Sequence, residues 1–405
     1  MARDTTTMAA ACAVVTVTGL PVFLTGAVAV QLRADLGFGE AGLGLAVASF
    51  FTAAAVASPT SGRLAERLGP ATGMRISSAL AALSLGAVAV VAQSLVVLVV
   101  CLVVGGLANA AAHPSSNLFL VRLIDPGRLG LALGAKQAAI PAGNLLAGLS
   151  VPALALTVGW RWAFAAGALG AAALAAVPPG GSRGVPAAGG GARRSTDPGA
   201  RRALLLLAAA AALGGAAAGS LGTFLVSSAV DSGIEPGFAG LLASVCSAAG
   251  LVTRVVLGMQ ADRRGKGHLA VVIGMLASGA TGYLLIAVQQ PLAVVIGALV
   301  AYCLGWSWPG LFNLAIVRSN PGAPGAATGI TQMGTSTGAV VGPLLFGFVV
   351  ERSSYSMAWI CAGALSLAAA VTVVAGRRLL VHQERRRQPA VDLPVLGASS
   401  PTHAA

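Results

Sequence analysis

Apolar runs of membrane-crossing length recur along nearly the whole of this 405-residue sequence, and they limit its folds more than any other feature. Runs at 9–31, 41–61, 74–92, 95–120, 130–157, 162–178, 203–229, 238–259, 269–288, 292–316, 327–350 and 357–376 each come close to the roughly 20 residues an α-helix needs to cross a bilayer. Hydrophobic residues make up 56% of the chain and charged residues 9%, which leaves little for a water-soluble domain. A backbone in hydrocarbon must satisfy its own hydrogen bonds, and a run of this length does so as a helix. The expected fold is an all-α membrane protein with twelve transmembrane helices. A cytosolic enzyme, a secreted domain and a disordered protein are excluded. The N-terminus, MARDTTTM, lacks a strongly basic region, and its apolar run continues to Val30, so it reads as a first span rather than a cleaved signal peptide.

The longest polar interruption, residues 178–202, is rich in Gly, Pro and Arg and reads as a flexible cytoplasmic linker. It separates a six-helix bundle at 1–177 from a second at 203–376, and a polar tail follows at 377–405, read as cytoplasmic and disordered. The net charge of +13 would point to nucleic acid in a soluble protein. Here the loops account for it. With the N-terminus in the cytoplasm, twenty Lys and Arg fall on the cytoplasmic side and three, Arg33, Arg161 and Arg352, on the other. The positive-inside rule then places both termini in the cytoplasm, and no nucleic-acid partner is needed. Two lysines against 23 arginines, with abundant Ala and Gly, point to a GC-rich bacterial genome and so to a bacterial cytoplasmic membrane. The cysteines, Cys12, Cys101, Cys246, Cys303 and Cys361, sit in apolar runs without C-x-x-C spacing and read as buried hydrophobes.

The two halves superpose at an offset of 195 or 196 residues. GRLAERLG at 62–69 matches GMQADRRG at 258–265, His113-Pro114 matches Trp308-Pro309, and Gly134, Gln137 and Gly143 match Gly329, Gln332 and Gly338. Parallel duplication of six helices is a transporter architecture, with a substrate site between the halves near mid-membrane.

The segment G-x-L-A-E-R-x-G at 62–69, followed by Arg75, resembles the loop signature of the major facilitator superfamily between its second and third helices. The weaker copy at 258–265 stands where that family carries it again, and GWRWAF at 159–164 and Gly342-Pro343 are similar to family patterns. The resemblance extends to about residue 376 and implies that family's fold and alternating-access transport. It also implies a gating role for Gly62, Glu66, Arg67, Gly69 and Arg75, and for Gly258, Asp262, Arg263 and Gly265. Such a cluster could latch the halves together on the cytoplasmic side; the plainer reading is a basic loop obeying the positive-inside rule.

Two cations remain inside the spans, Lys136 and Arg254, each roughly 9 Å from the cytoplasmic end of its helix. Intramembrane charges are costly and usually face a cavity. In the family fold helices five and eight are neighbours, so the pair could converge on one anion, Arg254 bidentately and Lys136 as a point charge. The alternative is snorkelling to the headgroups. GAKQAAIPAG at 134–143 resembles helix five of organic-anion members, and an Arg late in helix eight resembles the monocarboxylate and cyanate-type branches. Gln137 and Gln332 are repeat partners that could bind substrate or act as helix–helix glue. His113 could titrate, Trp308 could wall the cavity, and Asn313 lies on the same tenth helix; packing is the competing role for His113 and Trp308.

Gly37, Gly39 and Gly42 spell G-x-G-x-x-G, but no strand precedes them, so the dinucleotide reading fails. No Walker motif appears. No catalytic or metal site and no cofactor is expected, and the protein is not expected to be an enzyme. The helix-four Arg and helix-five Gly-Pro of drug/proton antiporters are not matched, position 101 or 102 being Cys or Leu and 140–143 reading Ile-Pro-Ala-Gly. The sequence therefore reads as a monomeric secondary transporter of a small carboxylate-type anion. With no carboxylate apparent inside a span, coupling is expected through a counter-anion, or a proton carried with the substrate or on His113. Efflux of a drug or hydrophobic metabolite is the alternative; a non-transporting receptor is a third class with nothing in the chain to support it.

Overall fold

The computed structural model describes residues 2–124, 129–176, 198–264, 267–320 and 324–387. Val177, residues 178–197 of the expected linker and the tail beyond 387 lie outside them. The described chain is helical throughout: α1 (Ala2–Ala27), α2 (Ala29–Leu36), α3 (Glu40–Leu68), α4 (Pro70–Val91), α5 (Leu95–Leu123), α6 (Leu129–Ser150), α7 (Trp160–Ala176), α8 (Pro198–Asp231), α9 (Pro236–Arg264), α10 (His268–Ala287), α11 (Pro291–Val300), α12 (Trp308–Ser319), α13 (Pro324–Arg352) and α14 (Tyr355–Arg387). α8 thus begins inside the stretch read as linker, and α14 runs on into the stretch read as tail.

Among the described residues, eleven continuous stretches are long and apolar enough to cross a membrane. One, Gly134–Ala176, has 43 residues, about twice what one crossing needs. It holds α6 and α7 joined by a wide-helical segment at Val151–Gly159, and Gly159 at φ +106° turns the chain there. Arg161 at the start of α7 donates to the Ala92 carbonyl just beyond the end of α4, and Arg75 near the start of α4 donates to the Ala175 carbonyl at the end of α7. α7 therefore runs antiparallel to α4, and the fold makes the twelve crossings expected. The tenth is built from α11, a wide-helical segment at Ala301–Gly305, and α12. Successive crossings alternate between the face bearing the 62–69 loop, here the motif face, and the opposite, distal face.

α1 packs on α5, α6 and α7 and α4 on α5 and α7, while α8 packs on α13 and α14 and α10 on α14. The bundles meet along α3–α13, α6–α9 and α1–α8. Small residues set that contact, as between helices that lipid cannot drive together. A Cβ on Gly44 of α3 would lie 2.4 Å from the Pro343 carbonyl oxygen of α13, and one on Gly148 of α6 would lie 2.6 Å from the Gly240 carbonyl oxygen of α9. One apolar core includes residues of both bundles: Ala29 and Leu43 with Leu221, Phe224, Phe346 and Trp359. All lie toward the distal face. Toward the motif face the cores are separate, one around Met74 and Phe119, the other around Leu276, Trp308 and Phe312. Leu64, Leu68, Met259 and Met333 are exposed there. Among the described residues, the bundles are joined at the distal face and parted at the motif face.

A polar node lies within the joined region. Asn144 of α6, 4% exposed, donates to Ser247 Oγ at 2.6 Å on α9 and to Tyr302 Oη at 3.1 Å in the tenth crossing. Ser244 Oγ donates back across the interface to the Leu145 carbonyl at 3.0 Å.

Two outcomes follow from this interface. Gly44→Val drives a side chain into the α13 backbone, so the distal face cannot close. A cysteine placed at the fully buried Leu221, with the native cysteines removed, should then react with a water-soluble maleimide on the order of tenfold faster, an equilibrium shift of about 1.4 kcal/mol. Asn144→Ala removes the amide that donates to Tyr302 and Ser247 across the interface, while Ser247 keeps its bond to the Ala243 carbonyl, and should weaken distal closure by about 0.5–1.5 kcal/mol. Spin labels at the exposed positions Gln93 and Gln290, one on each bundle, should report a larger distal-open population than in the wild type.

Candidate functional site

Each intramembrane cation is held inside its own bundle. Lys136 on α6 is 4% exposed, and its ammonium donates to Asn117 Oδ1 and, at 3.5 Å, to the His113 carbonyl on α5. The Cys12 thiol of α1 is within electrostatic reach. A side chain bonded this way is not snorkelling. Asn117, exposed on α5, is a partner of Lys136 that sequence reasoning missed.

Arg254 on α9 owes its place to the broken tenth crossing. Where α11 gives way to α12, backbone carbonyls are released from the helical ladder. Ser307 Oγ, with one hydrogen to give, lies within hydrogen-bond distance of two carbonyls, those of Tyr302 at 2.9 Å and Gly250 at 3.1 Å. The Trp306 carbonyl accepts from Arg254 Nη2 at 2.6 Å, and the guanidinium lies 5.4 Å from the centre of the Trp306 ring. Arg254 Nε is buried with no hydrogen-bond partner.

All the described partners of Lys136 and Arg254 are neutral. Among the described residues, ion pairs join Arg33 to Glu40 and Arg161 to Asp35, and no carboxylate reaches either intramembrane cation. Among the described residues, no contact joins the two cations to each other. A buried cation without a counter-charge is costly.

The other expected site residues divide. Gln137 is half-buried and Gln332 exposed, and among the described residues neither amide has a hydrogen-bond partner. Asn313 is half-buried on α12 and likewise unbonded. His113 meets Lys136 through its backbone carbonyl. Trp308 is 1% exposed, edge-on to Phe312 at 5.3 Å, close against Gly214 and in one apolar core with Leu276. Those surroundings are helix packing, the competing role weighed for it.

In the motif loop, Gly69 at φ +87° makes the turn from α3 to α4, and Pro70 opens the new helix. Glu66 and Arg67 are exposed, and with the motif face parted they bond to nothing among the described residues. Arg75 ties α4 to α7. Gly62 and Gly258 face open space. The side chains of Asp262 and Arg263, and all of Gly265, lie outside the described residues.

The interface also carries polar groups that the motifs did not reveal. Asn144 was visible as a lone amide in an apolar run. Tyr302 and Ser247 had no such signal, since their part depends on a partner more than a hundred residues away.

Residues 10–227, and again 204–399, match the Major Facilitator Superfamily, one match for each half of the duplication. No curated protein is significantly similar to the chain in sequence. Solved structures are similar in fold. A bacterial homologue of the human lysosomal transporter Spinster, inward-facing and occupied, has a TM-score of 0.69 at 13% identity over 93% of this chain and 96% of its own. The nucleoside transporter NupG gives 0.71 at 16% over 91% and 99%, and a D-xylose–proton symporter 0.70 at 15% over 91% and 96%. With matches over both halves, this chain belongs to the Major Facilitator Superfamily, whose members are transporters.

Proposed function

We propose that the protein is a secondary active transporter of a small carboxylate-type anion. The observation that carries this reading is the pair of intramembrane cations without a carboxylate partner. Lys136, held with Asn117 in one bundle, and Arg254, held on the Trp306 carbonyl in the other with its Nε lacking an acceptor among the described residues, are the two positive charges offered to an anion. Gln137, Gln332 and Asn313 offer unbonded amides to fix the substrate's orientation. Rocking of the bundles would carry the anion from one face to the other.

The arginine asymmetry supports a cytoplasmic motif face and cytoplasmic termini in a bacterial membrane. The structure then corresponds to an inward-open state. In the opposite state Glu66 and Arg67, with Asp262 and Arg263, would meet across the closed motif face and latch it.

One observation favours efflux of a hydrophobic compound as a second reading. An open cleft of about 540 Å³, lined by Leu45, Thr52, Val56, Leu107, Val340 and Leu344, lies where α3 and α5 of one bundle face α13 of the other. Its walls are almost wholly apolar, so it suits an apolar solute entering from the bilayer.

The test is thermal stabilisation of the purified protein against a panel of small carboxylates and inorganic anions. A ligand at a hundredfold over its Kd should stabilise the folded protein by about 2.7 kcal/mol. At least one carboxylate should raise the melting temperature of the wild type and leave Lys136→Ala and Arg254→Ala unmoved. If no anion acts while lipophilic cations or drugs do, the second reading replaces the first.

A further inference from the structure

Two pairs of arginines stand side by side at the motif face of the C-terminal bundle. Arg201 and Arg202 open the apolar stretch of α8, Arg201–Asp231, and Arg377 and Arg378 fall near the close of that of α14, Tyr355–Val381. The two helices touch at this level: a Cβ on Gly376 would lie 2.9 Å from the Leu207 side chain and 3.6 Å from the Ala203 carbonyl oxygen. Each pair lies within two residues of that contact, about 3 Å of helical rise. All four arginines are exposed, and among the described residues none has a hydrogen bond or an ion pair. The side chains of the acidic residues nearest in sequence, Asp197 and Glu384, lie outside the described residues. From each pair an apolar stripe runs into the membrane. On α8 Arg201, Leu205 and Ala209 follow one another at spacings of four and are all exposed. On α14 Arg378, Ala375, Val371 and Leu367 do the same at spacings of three and four. Leu205 is 52% and Val371 69% exposed.

We propose that these arginines and stripes form a binding site for an anionic phospholipid, its phosphate held by Arg201, Arg202, Arg377 and Arg378 and its acyl chains lying on α8 and α14. Guanidinium groups hold phosphate oxygens through paired hydrogen bonds, which lysines do not match. Basic groups at the cytoplasmic or matrix ends of membrane helices recognise such headgroups. Charge selects the lipid: the cluster has no described counter-charge, and a zwitterionic headgroup brings an ammonium that four arginines repel. The stripes select a lipid over free phosphate, because each begins at an arginine and continues where acyl chains run. The positive-inside rule asks only for a count of charges on one side. Here the charges are also aligned on two touching helices above apolar surface. Both helices belong to one bundle, so the site survives rocking and anchors that bundle in the leaflet. The inference rests on the chain spanning a membrane, and not on the substrate or on which face is cytoplasmic.

The test uses the full-length protein in detergent micelles, titrated with phosphatidylglycerol or with phosphatidylcholine of the same acyl chains and read by native mass spectrometry. Phosphatidylglycerol should bind the wild type on the order of tenfold more tightly, and the preference should shrink as ionic strength rises. Arg201→Gln with Arg202→Gln, and separately Arg377→Gln with Arg378→Gln, should each weaken phosphatidylglycerol binding on the order of tenfold and leave phosphatidylcholine binding unchanged. The pairs lie on different helices, so if one variant fails to fold the other carries the test. Arg67→Gln with Arg122→Gln removes as much charge from the same face and should bind like the wild type. Equal binding of the two lipids by the wild type, or a folded pair variant that keeps the preference, overturns the proposal. An equal loss in the Arg67 and Arg122 variant also overturns it, by making the effect one of overall charge. Inorganic phosphate displacing the lipid at equal concentration would assign the arginines to free phosphate and overturn it as well.

Discussion

The arrangement of the whole molecule depends on the close approach of α3 to α13 and of α6 to α9. Lipid tails are as apolar as leucine, so burial alone does not hold two helical bundles together in a membrane. Backbone proximity does, and Gly44 and Gly148 allow it by lacking the atom that would collide with the Pro343 and Gly240 carbonyls. With that approach made, Leu43, Leu221, Phe224 and Phe346 complete one core across both bundles. The same approach encloses Asn144 with Ser247 and Tyr302, and Glu40 with Tyr355. Among the described residues, nothing equivalent joins the bundles at the motif face, where the two cores stay apart.

Polar groups at this interface differ from those in the bundle interiors. Inside a bundle, hydroxyls mostly bond back to their own helix, as Thr25 does to the Pro21 carbonyl and Ser220 to the Ala216 carbonyl. Those bonds survive any relative motion of the bundles. Asn144–Tyr302 and Glu40–Tyr355 do not. They would break on opening and re-form on closing, so they set the free-energy difference between the states rather than the stability of either bundle. Lys136 and Arg254 stand between these classes, each held by its own bundle yet without a compensating charge.

The fold was largely legible in the sequence because membrane crossing imposes a length on every helix and duplication repeats the pattern. Gly62 and Gly258, Gln137 and Gln332, spaced almost alike, showed the repeat on either side of the polar interruption at 178–202. Lys136 and Arg254 stood out because charge is rare in an apolar run. What bonds to them did not. Asn117 on the preceding helix and the Trp306 carbonyl become partners only through packing and through the break in the tenth crossing. Glu40, 5% exposed and bonded to Tyr355 of the other bundle, was hidden for a related reason. As the first residue of a helix it reads as an ordinary acid near the positive end of the helix dipole. Its burial depends on Tyr355, 315 residues away. Helix ends are also where the sequence reading was least sharp: α8 begins at Pro198 and α14 runs to Arg387, both past the expected limits, because Ala- and Arg-rich segments extend a helix beyond the hydrocarbon.

The central claim is that the bundles move as units, so that closing one face opens the other. Two distances recorded on the same protein in lipid test it: one across the distal face between Gln93 and Gln290, one across the motif face between Leu68 and Met333, all four exposed. The account predicts that any condition lengthening the distal distance shortens the motif-face distance in the same proportion of molecules. A distal distance that lengthens while the motif-face distance stays fixed, or lengthens with it, would contradict it.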